Sequence, residues 1–571
     1  FIMAKVDGAM ITAKMLKDAG VECIFTLSGG HIYRLFQECE KLGIRVLDTK
    51  HEGAAAYAAM SYAQATGKMG VVVATAGPGV TNTLTAIVDS NLYDVPVLLI
   101  GGSGSAKQEL TETLQDFDVT SIYKQATKWA KRCMYTNRIP DFLSTAIRAC
   151  TTIQPAPVYL EIPLDVLEVE QVDEESLVYP ANYTMNTRIA ADPKTVEAIA
   201  DMLISAEKPA MLIGEGAQYF AEDMTAFKDL AEYLQIPTSV TLTNKGKFFK
   251  EDKDLFKMGA FASPKADVII GFNFKADMES GLSFINPEAK WINVTTNAMD
   301  IGMNRSADIG VLGYSDLVAR QVLDCIKTKV EKKENSVWLD QVSKETWEAM
   351  AELDKTSFES DRMPMHPARI AKEFFDWFNT DGKEWIHNAD GGDCLEWIRP
   401  YISLKLDDAG SFPNRFFHGT KFGCIGSQMG AVLGLWAATG KPIVHTTGDG
   451  SFGQYVGELL TYAKHGMQVI TIISNNQKYA MIKGFGSIAS PNENNDCGQD
   501  ISLPDGSPFS YEKYAAVWGG YGEHVEDPKD IIPAINRAVD SGKCAIIDVK
   551  VIESLDTYSP GTVECFNTVV V

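Results

Sequence analysis

The sequence predicts an α/β protein built as three doubly wound parallel-sheet domains. Three observations carry that expectation. Short β-branched apolar runs alternate with amphipathic helical patterns along the chain. Several of those runs stop at glycine, as at Gly77-Pro78-Gly79, Gly101-Gly102 and Gly448-Asp449-Gly450. The runs are apolar throughout rather than alternating, which marks a parallel sheet covered on both faces. At 571 residues the chain exceeds what one hydrophobic core sustains, and three units of similar size fit that length.

The first domain is expected over residues 1–170. Ala9 to Ala19 reads as a helix closed by Gly20, Cys23 to Leu27 as a strand, and Ser28-Gly29-Gly30-His31 as the loop after it. Arg45 to Asp48 reads as a strand ending at His51-Glu52, followed by an alanine-rich helix from Ala54 to Ala65. Val71 to Thr75 and Pro96 to Ile100 are further strands, with a helix pattern from Thr81 between them. Pro157 to Pro163 is the last strand. Glu168 to about Arg188 is acidic and aperiodic, so it reads as a linker.

A central domain is expected over 190–329. It has a helix from Val196 to Ala206, a strand from Ala210 to Ile213, a turn at Gly214-Glu215-Gly216, a helix from Met224 to Leu234 and a strand from Val268 to Gly271. The charge-rich stretch Val330 to Arg362 reads as a helical connector. The third domain covers 363–571 and holds the stretch Thr447 to Lys478, with a closing strand from Ala545 to Val551.

Composition narrows the function classes. Apolar content of 45% and charged content of 22% are those of a globular protein. The chain has 52 basic against 75 acidic residues, a formal charge of −23. With no basic block to offset it, that charge disfavours nucleic acid or anionic membrane as partners. Ten cysteines are scattered without CxxC pairs, as reduced thiols are. No apolar run approaches a membrane span, and no leader pattern precedes the first helix, so a cytoplasmic location is expected.

The stretch Thr447 to Lys478 carries the chemistry. It reads as strand, glycine turn, helix, strand and polar turn. Glycines let a backbone approach a phosphate closely, and a helix N-terminus favours anionic oxygens. Asp449 offers a hard carboxylate at one strand end and Asn476 an amide oxygen at the next. Oxygen ligands beside a diphosphate suit Mg²⁺ or Ca²⁺.

Gly448-Asp449-Gly450 followed by Asn475-Asn476 resembles the diphosphate and metal motif of thiamine-diphosphate-dependent enzymes. The resemblance implies that Asp449, Asn476 and the main-chain oxygen of Lys478 hold Mg²⁺. It also implies that Gly448, Gly450, Ser451, Tyr479, Ala480 and Met481 border the cofactor. Family members bind thiamine diphosphate bent and activate it with a glutamate near the pyrimidine; here that position falls on Glu52. Gly77, Pro78 and Asn82 follow at the family's spacing, and Ile425 in Gly423-Cys424-Ile425-Gly426 takes the place of the residue beneath the bend. His31 and Gln115 stand where relatives face the reacting carbon and the substrate. His51 is a further wall residue, His418 a weaker one, and Lys483 reads as a solvated lysine or, alternatively, as a partner for a carboxylate or phosphate.

The resemblance spans nearly the whole chain. It is closest to the acetolactate synthases, 2-hydroxyacyl-CoA lyases and oxalyl-CoA decarboxylases. It implies carbon–carbon bond cleavage or formation beside a carbonyl, on a 2-oxo acid or a 2-hydroxyacyl thioester. A cyclic-diketone hydrolase, which His31 favours, and a non-catalytic cofactor-binding regulator are the alternatives. The family implies a homodimer or homotetramer in which Glu52 and Asp449 come from different chains to one cofactor. The central domain departs from the pattern: Asn273 stands where an arginine would, Thr295 and Asn297 where acids would, and a later turn reads Gly313-Tyr314-Ser315. Bound FAD or ADP is therefore not expected.

Overall fold

The computed structural model describes residues 5–241, 255, 259–277, 285–405, 416–418, 421–490, 498–553 and 557–560. The chain falls into two compact units. One comprises Phe1–Asn186, Thr420–Gly440 and Gln454–Gly466, the other Thr187–Gly419, Lys441–Gly453 and Met467–Val571.

In the first unit, β1 (Lys5–Asp7) precedes the sheet strands β2 (Cys23–Thr26), β3 (Arg45–Asp48), β4 (Gly70–Ala74), β5 (Val97–Ser103), β6 (Trp129–Arg132) and β7 (Val158–Pro163), and β8 (Gln171–Asp173) follows. The six sheet strands are parallel in the order β3-β2-β4-β5-β7-β6. Strands β4, β5 and β7 are buried along their whole length, which is why their sequences run apolar without alternation. β6 is an edge strand with alternating burial. Residues expected to be a linker instead supply β8, which pairs antiparallel with β1.

The alanine-rich helix forms over Glu52–Thr66 and is buried from Glu52 through Ala63. The small side chains allow a close crossing with the helix Ser427–Thr439. A Cβ on Gly430 would lie 2.7 Å from Ala54 Cα, and one on Gly434 would lie 1.9 Å from the Ala58 carbonyl oxygen. Ser61 Oγ donates to the Ala431 carbonyl at 2.7 Å across this crossing. Between β4 and β5 the helix expected from Thr81 begins at Leu84 and runs to Leu92, after a separate short helix over Pro78–Thr81.

The second unit holds two parallel sheets. One comprises β9 (Pro209–Ile213), β10 (Thr238–Val240), β11 (Val268–Phe272), β12 (Lys290–Thr295) and β13 (Ile309–Leu312), in the order β10-β9-β11-β12-β13. Gly214-Glu215-Gly216, expected as a turn, opens the helix Glu215–Phe220, with Gly214 as its cap. The other sheet comprises β14 (Ile386–Ala389), β15 (Phe416–His418), β16 (Ile443–Gly448), β17 (Val469–Asn475), β18 (Tyr521–Val525) and β19 (Ala545–Lys550). Its order is β15-β14-β16-β17-β19-β18. The helix Ala368–Thr380 stacks Phe374, Phe375 and Phe378 on this sheet around His387. The architecture is three parallel-sheet domains flanked by helices. The connector stretch is helical over Val337–Leu353.

Candidate functional site

The first group of residues lies at the carboxyl ends of β2, β3, β4 and β5, where open α/β sheets place ligands. Glu52 is the first residue of its helix and only 8% exposed. One carboxylate oxygen, Oε2, accepts from Asn82 Nδ2 at 3.0 Å. The helix start is set by His51, whose Nδ1 accepts the Gly53 N–H at 3.0 Å and whose ring packs edge-on to Tyr455. Glu458 Oε1 takes the Lys50 N–H at 2.9 Å, and Thr461 donates to its other oxygen. Burial pushes the Glu458 carboxyl up to about 7.

Gly79 lies between Thr75 and Glu52, and Thr75 in turn meets His31. A Cβ on Gly79 would lie 2.6 Å from Thr75 Cγ2 and 3.5 Å from Glu52 Oε1. On its other side the Thr75 hydroxyl lies 3.1 Å from His31 Nδ1. Burial lowers the His31 pKa, favouring the neutral imidazole. Gly77 has φ +57° and passes under the Gln115 main chain, 2.8 Å from the carbonyl to a built Cβ. Any side chain at Gly77 would displace Gln115. Pro78 follows as the first residue of the short helix. Ile425 is half-buried just before the helix Ser427–Thr439 and is not a fully buried core residue.

The second group lies at the ends of β16 and β17. Gly448 caps the short helix Asp449–Phe452, and a Cβ there would meet nothing within 4 Å. Asp449 is 3% exposed. Its Oδ1 accepts the Gly450 N–H at 2.8 Å, and its Oδ2 accepts Asn476 N–H at 3.0 Å and Gln477 N–H at 2.6 Å. Burial pushes its carboxyl up to about 7 against those three donors. Ser451 is buried in the same turn. Gly450 is covered by the Tyr479 ring, 2.5 Å from a built Cβ. Asn476 Oδ1 accepts the Lys478 N–H at 3.1 Å, so the amide oxygen and the Lys478 backbone share one tight turn. Tyr479 precedes the helix Ala480–Ala489, whose first residues are Ala480 and Met481.

A carboxylate, an amide oxygen and a main-chain carbonyl within one pair of strand ends form an oxygen-only donor set. That set fits Mg²⁺. Of the weaker sequence expectations, His418 is buried on β15, and Lys483 is paired with Glu553 at 2.8 Å instead of solvated. Thr75, Glu458 and Gln477 escaped the sequence reading, since a lone threonine, glutamate or glutamine carries no spacing signal.

In the central domain, Asn273 has φ +45°. Its Nδ2 donates to Thr296 Oγ1 at 2.9 Å, and its Oδ1 accepts from Ser315. A Cβ on Gly214 would lie 1.9 Å from the Asn273 carbonyl oxygen. Asn297 is buried and caps the Met299 N–H.

Comparisons with known proteins agree with this layout. Residues 6–122 match the N-terminal TPP binding domain of thiamine pyrophosphate enzymes, 196–322 their central domain, and 402–549 their C-terminal TPP binding domain. The chain belongs to the thiamine pyrophosphate enzyme family. Among its relatives is a probable acetolactate synthase large subunit of Methanocaldococcus jannaschii, 26% identical over 97% of this chain and 94% of that protein. The acetolactate synthase large subunit of Haemophilus influenzae is 25% identical over 97% and 96%. The 2-hydroxyacyl-CoA lyase 2 of Bos taurus is 28% identical over 84% and 81%. No helix among the described residues is long and apolar enough to cross a membrane.

Proposed function

We propose that this chain is a thiamine-diphosphate- and Mg²⁺-dependent enzyme that breaks or makes a carbon–carbon bond next to a carbonyl. Its donor is a 2-oxo acid or a 2-hydroxyacyl thioester, which makes it an acetolactate-synthase-like lyase or transferase. The observation that carries the reading is the buried Glu52 carboxylate, with one oxygen on Asn82 and, among the described residues, no cation in its hydrogen bonds. A regulator that only bound the cofactor would have no use for a buried proton carrier at that position.

Bound thiamine diphosphate supplies a carbon nucleophile that also acts as an electron sink. Asp449, Asn476 and the Lys478 carbonyl hold Mg²⁺, and Gly448, Gly450 and Ser451 let the diphosphate approach the backbone. Glu52, whose carboxylate Asn82 orients, would be the residue that gives or takes the proton needed to activate the bound cofactor. In the first unit Gly77, Pro78 and Ile425 would contact the cofactor, and in the second Tyr479, Ala480 and Met481 would. His31, kept neutral by burial and held by Thr75, orients the substrate carbonyl, and Gln115 contacts the substrate. The same histidine supports the second reading, hydrolysis of a cyclic diketone. Mass spectrometry of products from 2-oxo acids, 2-hydroxyacyl thioesters and cyclic diketones separates the two. A ring-opened acid as the product would favour the hydrolase.

The active form in this reading is a cytoplasmic homodimer or homotetramer, with no nucleic-acid or membrane partner. Mixing Glu52→Gln with Asp449→Ala protein restores part of the activity if one cofactor takes residues from two chains. A fully active monomer in sedimentation contradicts it. The central domain serves as scaffold, since Asn273 is spent on Thr296 and Ser315 and offers no charge to a phosphate. The expected visible spectrum lacks a flavin band; stoichiometric flavin overturns that part.

A further inference from the structure

The metal turn contains one backbone feature that its ligands do not explain. Gln477, between Asn476 and Lys478, has φ +63°, a left-handed conformation that non-glycine side chains resist. In that conformation its N–H points to Asp449 Oδ2 at 2.6 Å. Its side chain is held at both ends: Oε1 accepts the Phe509 N–H at 3.0 Å, and Nε2 donates to Asn475 Oδ1 at 2.5 Å. Asn475 in turn donates from Nδ2 to Asp548 Oδ1 at 2.8 Å. Asp548 is fully buried on β19, with its Oδ2 3.4 Å from His524 Nδ1.

This chain of bonds has a direction. An ionised carboxylate only accepts hydrogen bonds, so Asp548 requires Asn475 to present its NH₂ group inward. The Asn475 oxygen is then left facing Gln477, which must turn its own NH₂ toward it and its oxygen toward Phe509 N–H. Each amide orientation is dictated by the one before it. We infer that Asp548, Asn475 and Gln477 form a positioning relay that holds the turn left-handed and so aims the Gln477 N–H at the metal-ligating carboxylate of Asp449. The inference rests on the proposed metal site at Asp449, Asn476 and Lys478, and extends it to residues that touch no metal.

Glycine supplies the experiment, because it adopts this φ without help. Mn²⁺ binding in the presence of saturating thiamine diphosphate is followed by the paramagnetic resonance of free Mn²⁺, with melting temperatures measured alongside. Gln477→Ala, which keeps the strain but loses both side-chain bonds, is expected to weaken Mn²⁺ binding by roughly tenfold. Gln477→Gly is expected to stay within about threefold of the parent, a difference that no loss of side-chain contacts alone would produce. Asp548→Ala should weaken binding by about tenfold in the parent and leave it unchanged in the Gln477→Gly background, since coupled residues are not additive. Asp548→Asn, which keeps an oxygen for Asn475, should recover part of the loss. Equal losses for Gln477→Ala and Gln477→Gly would overturn the relay, as would an Asp548→Ala loss that persists in the glycine background. Gln477 is half-exposed, so that pair decides the matter even if Asp548→Ala does not fold. A parent protein that binds no Mn²⁺ with thiamine diphosphate would overturn the metal site itself, a separate outcome.

Discussion

Two buried carboxylates, Glu52 in the first unit and Asp449 in the second, sit at the carboxyl ends of parallel strands, yet they are held in opposite ways. Asp449 is surrounded by three main-chain N–H groups. These groups only donate, so they favour the ionised form that a cation needs. Glu52 instead has the side-chain amide of Asn82, a residue otherwise exposed at the end of a short helix. A side-chain amide carries both a donor and an acceptor, so it can serve a carboxylate and, after a flip, a carboxylic acid. Three donors thus oppose the effect of burial on Asp449, while Glu52 has a partner that can both give and accept a hydrogen bond. Under the proposed function, this difference in partners would distinguish the metal ligand from the proton carrier.

The largest effect should come from breaking the ligand end. Asp449→Ala removes the only carboxylate among the three proposed donors and leaves three N–H groups without their acceptor. The protein is expected to lose thiamine diphosphate entirely on gel filtration, and a cofactor content equal to the parent's would break the comparison. Next is Asn82→Ala, which keeps Glu52 but frees its carboxylate. Cofactor binding should persist while turnover falls by roughly tenfold, the worth of a hydrogen bond to a charged group. Asn82→Asp sharpens the point: a second carboxylate beside Glu52 raises its affinity for a proton, and the pH–rate profile should move upward.

The smallest effect concerns Glu458, which fixes the backbone leading into Glu52. Its folded-state pKa is raised from 4.5 to about 7 by burial. A raised carboxyl contributes stability that is fully present below the unfolded value and is lost as pH rises through the folded one. Stability should therefore fall between about pH 4.5 and pH 7 on this group's account, by at most a few kcal/mol. Glu458→Gln keeps an oxygen for the Lys50 N–H and has no proton to lose. Its thermal-melting curve should flatten over that interval, with a melting temperature at pH 8 no lower than the parent's. A variant whose pH dependence matches the parent's would show that Glu458 does not carry it.

How far the sequence foretold this depended on what each element presents. β4, β5, β7 and β17 are buried on both faces, so their apolar runs announced them. β6 and β18 lie at sheet edges with alternating burial, and β12 carries Lys290 and Asn293, whose Nδ2 donates to the Asp300 carbonyl. None of these resembles an apolar run. The glycine punctuation misled at Gly214, where a cap looked like a turn. The motif residues of the site were legible because their spacing is constrained by strand–helix–strand geometry. The supporting residues were not. Thr75, Glu458, Gln477 and Asp548 act through individual hydrogen bonds, most of them between distant stretches, and such bonds leave no periodic trace.

The measurement closest to the central claim is the exchange of the C2 proton of bound thiamine diphosphate for deuterium, read by proton NMR in the parent and in Glu52→Gln. The account predicts that both proteins retain the cofactor and that exchange slows by about 10² or more in the variant, as for loss of a proton-transferring group. Retained cofactor with an unchanged exchange rate would remove Glu52 from the chemistry and contradict the account.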